Sequence, residues 1–160
     1  MARFDDAQKL HGALEEFSRQ AANFRRLCVV ACRAALASLL AWRIGKAAMG
    51  GQAAPKTVLV VEPVEGDGLI AALWEAIVAL PFAAPVPADR GANWVSETVP
   101  TRLFPGLKSC VEGGGYLLLA SSSTPAQHDR VSKILLKHGT GQLFTHEFTR
   151  EADKKRPPNR

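Results

Sequence analysis

Between Asp5 and Met49 the chain has no proline, so nothing in that stretch forbids a continuous helix. Cysteine is scarce as well. Cys28, Cys32 and Cys110 are an odd number with two of them close together, which excludes a secreted disulfide framework and makes a reducing compartment the default. The opening residues, MARFDDAQKL, lack a basic leader and an apolar core, and Asp5 and Asp6 do not suit a transit peptide. The expected location is therefore the cytoplasm or an organellar matrix, with membrane association left open, and not the secreted space. No apolar run is long enough for a confident span. Leu27–Trp42 (LCVVACRAALASLLAW) is sixteen residues with Arg33 in its middle, where a spanning helix wants about 20 apolar residues. A central arginine costs roughly 2.5–3.5 kcal/mol on insertion, so a buried or interface helix is the simpler reading.

The composition is globular, 47% hydrophobic and 22% charged, and 160 residues suffice for one real core. A net charge of +5 permits an acidic partner without demanding one. Leu10, Leu14, Phe17, Ala21, Phe24, Cys28, Ala31, Ala35, Ser38 and Trp42 recur at alternating steps of four and three. That spacing predicts one long helix packed lengthwise on another surface, broken at most near Gly12. Leu10, Leu14, Phe17, Phe24 and Trp42 are its candidate partner-binding residues. Gly50–Pro55 is a linker, Lys56–Glu62 a buried strand, and Leu69–Leu80 an apolar helix ended by Pro81. Pro85, Pro87, Pro100 and Pro105 punctuate an irregular stretch, with a short helical turn at Leu107–Glu112. Arg150–Arg160 is a charged tail.

Gly113–Phe148 is the clearest unit. Tyr116–Ala120 is a strand covered on both faces, entered by Gly113-Gly114-Gly115. Thr124, Pro125 and Gln127 mark an N-cap, a first-turn proline and a capping-box partner. Val131, Ile134 and Leu135 share a helical face, and Gly139 stands where a left-handed C-cap would go. Gln142–Phe148 resumes as a strand, so the unit predicts a parallel crossover.

Candidate chemistry is thin. Gly66-Asp67-Gly68-Leu69-Ile70-Ala71 matches a dinucleotide-binding turn between strand and helix, which makes Gly66 and Gly68 the cofactor-binding candidates. Glu62 and Glu65 stand where a pyrophosphate would go, so an ordinary turn is the stronger reading and no cofactor is expected. Cys28 and Cys32 are one helical turn apart but lack further metal ligands. His128 and His138 are too far apart on one helix to share a metal, and Ser121–Ser123 serve as capping hydroxyls. Arg130, Lys133 and Lys137 lack interleaved aromatics, which disfavours nucleic acid. No catalytic or metal residues are assigned.

Two resemblances are carried by these residues. Gly114–Phe148, with Phe4-Asp5-Asp6-Ala7, resembles small bacterial general-stress or low-temperature-induced proteins. That likeness implies a membrane-associated, non-enzymatic role, although the glycine-zipper hairpin of that family is absent. Thr57–Glu62 with LLLASSSTP and HGTGQLFTHEF resembles a phospho-receiver, with Pro63 and His146 where that family keeps acidic and lysine positions.

The expected architecture is α/β or α+β, a long N-terminal helix (1–49) ahead of a small three-stranded sheet of β-α-β-α-β order (50–149), with a basic tail (150–160). The expected role is a non-catalytic assembly protein docking a partner protein, its own copy or a membrane surface. A small-ligand or nucleotide-binding domain, or a degenerate receiver, is the alternative.

Overall fold

The computed structural model describes residues 1–20, 27–48, 58–61, 68–79, 95, 99–122, 124–139 and 143–145. Four strands and five helices can be followed among them: β1 (Ala2–Phe4), α1 (Ala7–Arg19), β2 (Leu27–Ala31), α2 (Arg33–Ala48), β3 (Val58–Val61), α3 (Gly68–Ala79), α4 (Phe104–Glu112), β4 (Tyr116–Ala120) and α5 (Pro125–His138). The chain is thus a mixture of helices with a small sheet, as its pattern implied.

The single long N-terminal helix is not observed. α1 starts at Asp6, whose carboxylate accepts a hydrogen bond from the Gln8 amide at 2.7 Å, and closes at Gln20. Gly12 lies inside α1 rather than at a break. The stripe's next described members, Cys28 and Ala31, belong to β2, a five-residue strand buried throughout. Val29 and Val30 are β-branched and suit a strand covered on both sides. The helical spacing continued through this strand by coincidence, because a fully apolar run satisfies any period.

The sheet has the order β1-β4-β2-β3, four strands where three were expected. β4 runs antiparallel to both β1 and β2, whereas β2 and β3 are parallel. β1, β2 and β3 therefore share one direction. An all-parallel receiver sheet is not compatible with β4 at its centre. The proposed boundary at residues 49/50 falls inside this sheet, since β1 and β2 precede it and β3 and β4 follow it. The linker at 50–55, Phe24 and the 150–160 tail lie outside the described residues.

Apolar side chains alternate across the strands and feed two cores. Ala2, Phe4, Leu27, Val29, Ala31, Tyr116 and Leu118 meet α1, α2 and α5 on one face. Cys28, Val30, Leu117 and Leu119 meet Val95, α3 and α4 on the other. The result is three layers, helices on both sides of the sheet. Pro105, expected to break a helix, instead lies in the first turn of α4, where its missing N–H costs nothing.

α5 forms as its sequence implies. The Thr124 hydroxyl accepts from the Gln127 amide at 3.2 Å, and Pro125 opens the first turn. Gly139 is not left-handed, however. Its φ is −78° and its ψ −176°, and a Cβ there would come within 2.6 Å of the Leu135 carbonyl oxygen. Close backbone approach, not turn handedness, calls for glycine. Past it, Leu143 bridges Ala2 antiparallel, and Met1 and Phe144 exchange both main-chain bonds at 2.8 and 2.9 Å. β4 and this last segment run the same way, as the crossover requires, but β1 lies between them.

Candidate functional site

Because β1, β2 and β3 are parallel, their carboxyl ends gather at one end of the sheet. Each is followed by a helix whose N-terminus stands there. Asp5 and Asp6 follow β1, Cys32 and Arg33 follow β2, and Gly68 opens α3 after β3. β4 enters from the same end through Gly113–Gly115, with α4 finishing beside it.

The connections then part. Ala35, Leu36 and Leu39 carry α2 onto the first face of the sheet, whereas Leu69, Ala72, Leu73 and Ala76 carry α3 onto the second. β2 and β3 are adjacent and parallel, and the helices that follow them pack on opposite faces of the sheet. This is the position at which open α/β sheets hold ligands. Cys32 packs against both cores, which puts it at the floor of that divide. Arg33 is exposed beside it as the first residue of α2.

The entry to β4 is tightly built. The Cys110 thiol lies 3.9 Å from the Phe4 carbonyl, the Asp5 carboxylate and the Tyr116 carbonyl. Burial pushes this thiol up, the nearby Asp5 charge adds to the effect, and Arg3 opposes it. The sulfur is thus a protonated donor at neutral pH, not a nucleophile. Gly115 is required beneath it: a Cβ there would sit 2.6 Å from the sulfur and 2.9 Å from the Phe4 oxygen. Gly114 has a φ of +85°, the backbone freedom the turn into β4 needs. Tyr116 donates its hydroxyl to the Ala35 carbonyl at 3.1 Å, fastening β4 to α2. Burial, then Cys32 and Asp6, raise that hydroxyl's pKa.

The residues named from the sequence are dispersed. Leu10, Leu14 and Phe17 are fully buried in the chain's own core and so are not partner-facing. The Trp42 side chain and Gly66 lie outside the described residues, and Gly68 is the first residue of α3. His128 is exposed, far from any shared ligand set, and no metal-binding cluster occurs among the described residues. No described helix is long and apolar enough to cross a membrane.

His138 acquires a role that sequence reasoning gave to the helix dipole alone. Its Nε2 lies 2.7 Å from Glu16 Oε2, the same oxygen that accepts from Lys137 at 2.8 Å. Its ring rests on α1 where Gly12 leaves room, since a Cβ there would be 2.9 Å from Nδ1. The Lys137 and His138 bonds hold the Glu16 carboxyl below the usual carboxylate range. The cluster ties α1 to α5. The roles of Asp6, Glu16 and Cys32 were not assigned from the sequence. Asp6 carries the local signal of an Asp directly ahead of a helical pattern; Glu16 and Cys32 carry none, because their partners are remote in the chain.

No protein-family model matches the chain, nor does any curated protein or solved structure.

Proposed function

We propose that this protein is a small-ligand-binding α/β domain that holds its ligand in the crevice at the carboxyl ends of β2 and β3. The observation that carries this is the divergence of α2 and α3 from two adjacent parallel strands onto opposite faces. Asp5 and Asp6 at the same end do not suit a pyrophosphate, which favours a polar, uncharged or cationic-headed small molecule over a dinucleotide. Arg33, Cys32 and Gly68 are the residues placed to meet it. A thermal-shift screen of small polar metabolites, followed by amide NMR with the best stabiliser, tests this. Shifts should cluster at Cys32, Arg33, Gly68 and Leu69; shifts confined to the opposite end, around Ser121 and Ser122, would end the reading.

A second reading is assembly with a partner protein, now through α2 rather than a long N-terminal helix. It is favoured by Leu40, which is 48% exposed on that helix. If Leu40→Asp leaves every stable association of the native protein intact on gel filtration, this reading fails.

A further inference from the structure

We draw no further inference here: the strongest candidate, the Glu16, Lys137 and His138 side-chain cluster between α1 and α5, belongs to the helix-to-helix tie already described.

Discussion

The two faces of the sheet are built to different standards. On the first, Phe4, Phe17, Leu10, Leu14, Leu39, Ile134 and Leu135 are fully buried, and three helices close over them. On the second, among the described residues, Leu73, Leu107 and Leu117 are the large fully buried side chains, joined by Cys28, Val95, Ala72 and Ala76. The first face is also fastened at its edges. Glu16 ties α1 to α5, and the Tyr116 hydroxyl ties β4 to α2.

The comparison breaks most directly at Phe17. Phe17→Ala should cost about 3–5 kcal/mol, because a fully enclosed ring leaves a cavity that helices on three sides cannot fill. Ile77→Ala, at a half-buried position on the second face, should cost about 1 kcal/mol. Urea midpoints at constant slope measure both; equal costs would mean the faces are equivalent.

Gly115→Ala tests the turn into β4, against Cys110 and Phe4, and should destabilise by about 1–3 kcal/mol. Cys110→Ala should not rescue it, since the added Cβ also meets the Cys110 and Phe4 carbonyl oxygens at 2.8 and 2.9 Å. Full rescue would show that the sulfur alone set the limit.

Glu16→Gln probes the fastening of the first face and should cost about 1 kcal/mol at neutral pH, a modest figure for a partly solvated cluster. The sign with pH follows from the lowered carboxyl. Its contribution is complete above the unfolded carboxylate pKa of about 4.3 and is lost as pH falls through the lower folded value. Wild type and variant should therefore converge in acid, and a difference that grew there would refute the tie. Thr124→Ala, remote from both cores, should cost about 1 kcal/mol or less through its cap alone.

Much of this was legible in the residues. Thr124-Pro125-Gln127 fixed the start of α5, Val131, Ile134 and Leu135 its buried face, and Tyr116–Ala120 the central strand. These are local signals, carried by side chains that act on their own backbone or by a period that names one face. The paired faces of the sheet were not legible, because LCVVA is apolar at every position and shows no period of its own. Propensity read it as helix; pairing with β4 on one side and β3 on the other made it a strand. The same holds for the sites. Leu10, Leu14 and Phe17 had the pattern of an interface, and whether an apolar stripe meets its own core or a partner is decided by what folds against it. Sequence by itself determined which residues prefer to be buried and where helices could begin. Tertiary structure alone decided strand direction, the packing of α2 and α3 on opposite faces, and the meeting of Glu16 with His138, because each depends on contacts between segments the chain keeps far apart.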